Sequence, residues 1–229
     1  MSFNARVLSA ATLFVLLATG ISSALIEPIT SVKAGKDGSP PYTLESVTVR
    51  DYTVTREFLA TGTSSGSAFL GSSIKNADNF DLNDIASRNN SGTWRVTNIG
   101  KKATWSDSNG SNPDFFIFEA GMNDSFSVQA ILPGGVLGQA VSIPAVWGDT
   151  GLRRVGLLNM NQRIGGIAFA VTDLLDIDGK PLTSKAVIEG IQINDGNVDP
   201  VNFSAVVPEP ASLAILCLGG LLMVRLRRS

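Results

Sequence analysis

Oxygen ligands are concentrated in one short stretch of this chain. Residues 105–114 read Trp-Ser-Asp-Ser-Asn-Gly-Ser-Asn-Pro-Asp, which puts Asp107, Asn109 and Ser111 at positions 1, 3 and 5 of an EF-hand-like count. Carboxylate, amide and hydroxyl oxygens are the donors that hard cations such as calcium prefer. The count then fails, because position 6 is Asn112 where glycine is needed and position 12 is Phe118 where glutamate is needed. Asp107, Asn109 and Asp114 are therefore candidate calcium ligands only in some other loop geometry. The plainer reading is a polar turn, so no metal and no other cofactor is assigned. A second acidic stretch, residues 173–179, fails the same count: with Gly179 at position 6, positions 1 and 12 are Leu174 and Lys185. Asp178-Gly179 reads instead as a hairpin turn.

Sugar stacking is the next chemistry to weigh. Trp105 adjoins the Asn-rich stretch and Trp147 adjoins Gly148-Asp149-Thr150-Gly151, so these two rings are the candidate glycan contacts. Trp94 lies inside a strand pattern and reads as core. Carboxylate chemistry on a glycan would need two acids about 5 to 10 Å apart, a separation that spacing along strands does not reveal. The chain holds no histidine and one cysteine, Cys217. No Ser-His-Asp or Cys-His nucleophile can be assembled from these residues, nor a His- or Cys-rich zinc, haem or iron–sulfur site. Cys217 itself lies in an apolar run, where a thiol behaves as a small hydrophobe. Residues 134–138 resemble a phosphate loop only in glycine content, since no Lys-Ser/Thr follows, and they read as a hairpin. Nothing here has the signature of an enzyme.

The elements that must position these residues are strands. Of 229 residues, 44% are hydrophobic and 17% charged, with a net charge of −2, which is too apolar for a disordered chain and too weakly basic for a nucleic-acid binder. Apolar residues recur with period two in residues 42–54, with a bulge or slip near Glu45-Ser46, and again in residues 94–98, 103–105, 141–146, 152–158, 164–171, 186–193 and 201–207. Phe115-Phe116-Ile117-Phe118 is a continuous apolar run, expected to be a strand buried on both faces. With Phe126, Val128, Ala130 and Leu132 it reads as a hairpin. Residues 62–73 and 76–92 read as surface loops, with a short helical turn at 81–85. The pattern predicts an all-β fold, a two-sheet β-sandwich of jelly-roll type spanning residues 42–206, with residues 25–41 as linker or extended lead-in.

Both ends read as addresses. Arg6 precedes an apolar run over residues 7–18, and Ser22-Ser23-Ala24 offers a cleavage site before Leu25, so residues 1–24 read as a signal peptide, implying the Sec translocation machinery as a partner. At the other end, Pro208-Glu209-Pro210 precedes 14 residues, 211–224, in which Ser212 is the only polar side chain, and Arg225, Arg227 and Arg228 come after. As a helix this run spans about 21 Å, short of the roughly 30 Å hydrocarbon core. Such a single membrane helix is a marginal anchor and a better transient stop, with its arginines held on the cytoplasmic side.

This order of elements resembles the PEP-CTERM sorting tail of exported proteins of Gram-negative bacteria, over residues 207–229. The resemblance implies recognition of Pro208, Glu209 and Pro210 by exosortase, a membrane helix at 211–224, and a stop at Arg225, Arg227 and Arg228. The body segments 115–132 and 164–207 also look similar to other PEP-CTERM ectodomains. The resemblance further implies a protein held transiently at the inner membrane and then delivered to the cell surface or extracellular matrix, with a structural or adhesive body. The alternatives are a carbohydrate-binding module acting on exopolysaccharide and, third, a carboxylate-based glycan hydrolase.

Overall fold

The computed structural model describes residues 26–35, 43–60, 62–66, 92–110, 112–154, 162–195 and 201–207. In chain order its strands are β1 (Glu27–Pro28), β2 (Ser31–Gly35), β3 (Thr43–Val49), β4 (Tyr52–Thr55), β5 (Leu59–Ala60), β6 (Thr63–Gly66), β7 (Gly92–Thr97), β8 (Trp105–Ser106), β9 (Phe115–Ala120), β10 (Phe126–Leu132), β11 (Val136–Leu137), β12 (Val141–Ile143), β13 (Gly148–Arg154), β14 (Gln162–Phe169), β15 (Val187–Ile188), β16 (Gly190–Asp195) and β17 (Val201–Val206). Among the described residues all pairings are antiparallel and the only helical elements are short 3-10 turns. The fold class is all-β.

One six-stranded sheet runs β1-β14-β9-β17-β5, with β13 also paired to β14. A second runs β11-β10-β16-β7-β6, with β12 also paired to β10. Trp94 and Val96 of β7, Phe126, Val128 and Ala130 of β10, and Ile191 and Ile193 of β16 share one buried cluster with Phe115, Ile117, Ile167, Phe169 and Phe203 of the first sheet. Their polar alternates Arg95, Gln129, Gln192 and Asn194 lie on the other side of the second sheet, as period two requires.

The first sheet is covered on its other face as well. β2, β3 and β4 form a three-stranded sheet, and its Leu44, Val47, Val49 and Val54 join Ile29, Phe116, Phe118, Ile164 and Ala168 in a second buried cluster. This third layer explains why β9 has no polar alternate along residues 115–118: Phe115 and Ile117 face one core, Phe116 and Phe118 the other, all with no exposed surface. Part of the segment expected as lead-in thus contributes two strands, β1 at the edge of β14 and β2 at the edge of the third sheet.

The bulge is where the sequence places it. Lys33 pairs with Ser46 and Ala34 with Leu44, leaving Glu45 as the extra residue. Leu44 and Val47 are three positions apart and would point to opposite faces of a regular strand, but the inserted residue returns both to the buried side. The Gly165-Gly166 pair of β14 serves close approach. A Cβ on Gly165 would lie 2.7 Å from Met122 and Trp147, and one on Gly166 2.6 Å from Ile29.

Two expectations are corrected. Residues 63–66, read from the sequence as part of a surface loop, form β6 and pair with β7 at the edge of the second sheet. β9 and β10 do not form a hairpin: β9 pairs with β14 and β17, whereas β10 pairs with β11, β12 and β16. The connection over residues 121–125 crosses from one sheet to the other, so the two strands face each other across the core, about 10 Å apart in a packed pair of sheets. Alternation identifies the buried side of a strand and is the same for a hairpin and for such an arch.

The expected signal peptide with its cleavage position at Ala24 and Leu25, the short helical turn at 81–85, and the sorting tail with Pro208, Glu209, Pro210, Arg225, Arg227 and Arg228 lie outside the described residues. Among the described residues no helix is long and apolar enough to cross a membrane.

Candidate functional site

The oxygen-rich stretch forms the loop between β8 and β9, and it is tied down at every turn. The Asp107 carboxylate Oδ1 accepts from the backbone N–H of Asn109 (2.7 Å) and of Gly110 (3.0 Å). Asn109 Nδ2 donates to the Tyr52 hydroxyl and to the Pro113 carbonyl, each at 3.1 Å. Asn112 Nδ2 donates to the Asn109 carbonyl at 3.1 Å. Tyr52 belongs to β4, so these bonds join the loop to the third sheet. Between them opens a cleft of about 500 Å³, lined by Tyr52, Val54, Phe58, Asn109, Val206 and Val207 among others.

Asp114 sits at the base of this loop with no exposed surface. Its N–H donates to the Phe169 carbonyl (3.0 Å), its carbonyl accepts from Val206 N–H (2.8 Å), and its Oδ2 accepts from Val171 N–H (2.7 Å). Two neighbouring segments, residues 169–171 and the end of β17, therefore meet on one residue. Burial pushes its carboxyl up to about 8, against the lowering pull of the Val171 N–H and with the negative charge of Asp107 adding to the rise. The Tyr52 phenol is likewise raised, first by burial and then by the negative charge of Asp114 and Asp107, with the Asn109 hydrogen bond opposing. A carboxylate buried as Asp114 is loses its hydration and needs a proton or a positive partner to offset that loss. The arrangement suits holding a proton or a cation. It does not suit attack on a glycan, because Asp114 offers no surface to a substrate.

The loop assignments made from sequence fall into place elsewhere. Gly134 and Gly135 form the β10–β11 turn, and their N–H groups donate to the Glu189 carboxylate at 2.9 and 3.1 Å, so that anion-binding turn is filled from within the chain. Asp176 Oδ1 accepts from the N–H groups of Asp178 and Lys180 in a tight turn closed by the Leu175–Pro181 bridge, as the Asp178-Gly179 signal predicts. Among the described residues no group of three acidic, histidine or cysteine side chains could hold a metal ion.

The glycan-stacking expectation for Trp105 and Trp147 is corrected. Trp105 is 3% exposed and Trp147 8%. Trp105 lies 4.8 Å from the Phe115 ring and donates Nε1–H to the Val206 carbonyl at 2.7 Å. Trp147 lies 5.7 Å from Phe126 and donates to the Asp124 carbonyl at 2.9 Å. A large aromatic beside a polar loop is as readily the lid of a core as a platform, and here burial with a satisfied N–H decides it.

Two features were not singled out by sequence reasoning. One is Tyr52, which alternation alone assigns only to a strand. The other is an amide ladder on the second sheet. Gln192 pairs across strands with Gln129 and Arg95, and Asn194 with Ser127 and Thr93. Gln192 Nε2 donates to Gln129 Oε1 and to Asn194 Oδ1, each at 3.0 Å; Asn194 Nδ2 donates to Gln129 Oε1 at 2.8 Å, and Arg95 Nε donates to Gln192 Oε1 at 2.7 Å. The signal was available, since these amides occupy the polar alternates of apolar strands. No family model matches the chain, and neither the curated proteins nor the solved structures give a significant match.

Proposed function

We propose that this chain is an exported surface or extracellular-matrix protein that is sorted by exosortase through Pro208-Glu209-Pro210 and carries a structural or adhesive body. In this reading the Sec machinery delivers the chain and the signal is removed after Ala24. Residues 211–224 then pause in the inner membrane against Arg225, Arg227 and Arg228, and exosortase releases the body. The body is a jelly-roll-type β-sandwich with an added outer layer, and it acts as a scaffold without a catalytic step.

The observation that carries the reading is the way the body ends. β17 is held between β9 and β5, and Val207 N–H still donates to the Phe58 carbonyl at 2.9 Å. The Pro-Glu-Pro triplet begins at the next residue. A strand of a doubly covered sheet therefore leads straight into the sorting motif, an arrangement suited to a scaffold that is loaded through its chain end. Replacing Pro208, Glu209 and Pro210 by alanine tests this in the producing cell. The expected result is accumulation in the membrane fraction and loss from the surface and matrix; unchanged surface delivery would remove the basis of the reading.

The ladder of Gln129, Gln192 and Asn194 favours a second reading, in which the body contacts exopolysaccharide. Planar amides in a row offer donors and acceptors to sugar hydroxyls without aromatic stacking. Gln129→Ala with Asn194→Ala should then weaken retention on the purified polysaccharide, and equal retention would discard this alternative.

A further inference from the structure

We propose that Asp107, Asn109 and Asp114 form a site for one hard divalent cation of the size and oxygen preference of calcium. This goes beyond sorting and surface display and does not depend on either. Asp114 is wholly buried, and although its Oδ2 is engaged by Val171 N–H, its Oδ1 has no hydrogen-bond partner among the described residues. The same is true of the buried Oδ1 of Asn109, whose Nδ2 is fully used by Tyr52 and Pro113. An unmade hydrogen bond to a buried acceptor costs about 1–3 kcal/mol, more for a charged one, so two together in one loop call for an occupant.

The third oxygen comes from Asp107. That residue lies in the same loop, and its Oδ1 is oriented by the backbone N–H groups of Asn109 and Gly110. None of the ion pairs among the described residues involves Asp107 or Asp114. A divalent cation would engage both carboxylates and the Asn109 carbonyl together and balance two negative charges with two positive. Calcium takes oxygen ligands at irregular angles and completes its shell with water, while magnesium demands near-ideal octahedral geometry, so a loop with three protein oxygens suits the larger ion. With so few protein ligands, affinity belongs in the range of extracellular modules, about 10⁻⁴ to 10⁻³ M.

The test is calorimetric titration of the full-length chain with calcium chloride at neutral pH, alongside thermal melts and terbium luminescence sensitised through Tyr52. One equivalent of calcium should bind in the stated range and raise Tm. D107N and D114N should each weaken binding at least about tenfold, in line with the loss of a charged ligand, and D178N, at an exposed turn, should leave it unchanged. Binding retained in both D107N and D114N would overturn the proposal. So would a Tm unmoved by calcium up to about 10 mM, well above the expected dissociation constant. Equal response to magnesium would overturn the choice of calcium. Because D114N also alters a buried carboxyl and D107N leaves that residue in place, the pair separates loss of a ligand from a change in folding.

Discussion

On the side of the central sheet that meets β7, β10 and β16, Phe115 lies among aromatic rings: Trp105 at 4.8 Å, Phe169 at 5.3 Å and Phe203 at 6.0 Å. On the opposite side Phe116 and Phe118 share their cluster chiefly with aliphatic residues of a three-stranded sheet, Leu44, Val47, Val49 and Val54. Asp114 immediately precedes β9 and is buried at that end of the strand. The aromatic side is closed by a full sheet. The aliphatic side is closed by fewer strands, and at its margin Tyr52, Asn109 and Asp114 meet beside a cleft. A layer that covers only part of a sheet leaves a border where buried charge can persist, provided that something neutralises it.

The contrast can be broken most severely at Phe115. Phe115→Ala should destabilise the body by about 3–5 kcal/mol, the usual cost of emptying an aromatic core position, measured by urea denaturation. It should exceed Phe116→Ala, since it also removes three ring–ring contacts worth about 0.5–1.5 kcal/mol each. A larger loss at Phe116 would reverse the ranking of the two sides. Next comes Gly166→Ala, which drives a Cβ into Ile29. It should cost about 1–3 kcal/mol as an overpacking change, and an unchanged Tm would show that the third layer yields freely.

Asp114 sharpens the comparison through pH. Its folded carboxyl is raised to about 8 from the ordinary 3.8 of an aspartate. Between about pH 4 and about pH 8 the unfolded chain therefore sheds a proton that the folded chain keeps, and stability falls as pH rises through that window. In the presence of a chelator the wild-type Tm should drop across this interval while D114N stays flatter; parallel curves would place the acid in a more polar setting. The smallest effect belongs to the exposed face of the third sheet. The Lys33–Glu45 ion pair spans 3.0 Å with Lys33 exposed and Glu45 partly so, so Lys33→Ala should change stability by less than about 1 kcal/mol.

These two sides were legible in the sequence to different degrees. Alternation identified the strands, and the run at 115–118 announced a strand covered twice. The odd spacing of Leu44 and Val47 located the bulge. Pairing partners were not legible: the pattern of β9 and β10 states which side chains are buried, and a hairpin and an arch across the core bury the same ones. The tryptophans beside loops were ambiguous for a related reason, since a ring next to a polar turn reaches either solvent or core with one rotation. Asp107, Asn109 and Asp114 could be recognised as ligand types, but the burial of Asp114 depends on β17 and the turn at Val171, distant in sequence. Tyr52 joins them only through the third sheet.

The proposed release of the all-β body from its C-terminal segment can be read from the mass of the exported chain. Intact-mass spectrometry of the protein recovered from the surface and matrix of the producing cell addresses it directly. The expected species begins at Leu25 and lacks Arg225, Arg227 and Arg228, with the full tail reappearing when exosortase is removed. Exported protein that still carries residues 225–229 in the unmodified strain would contradict release.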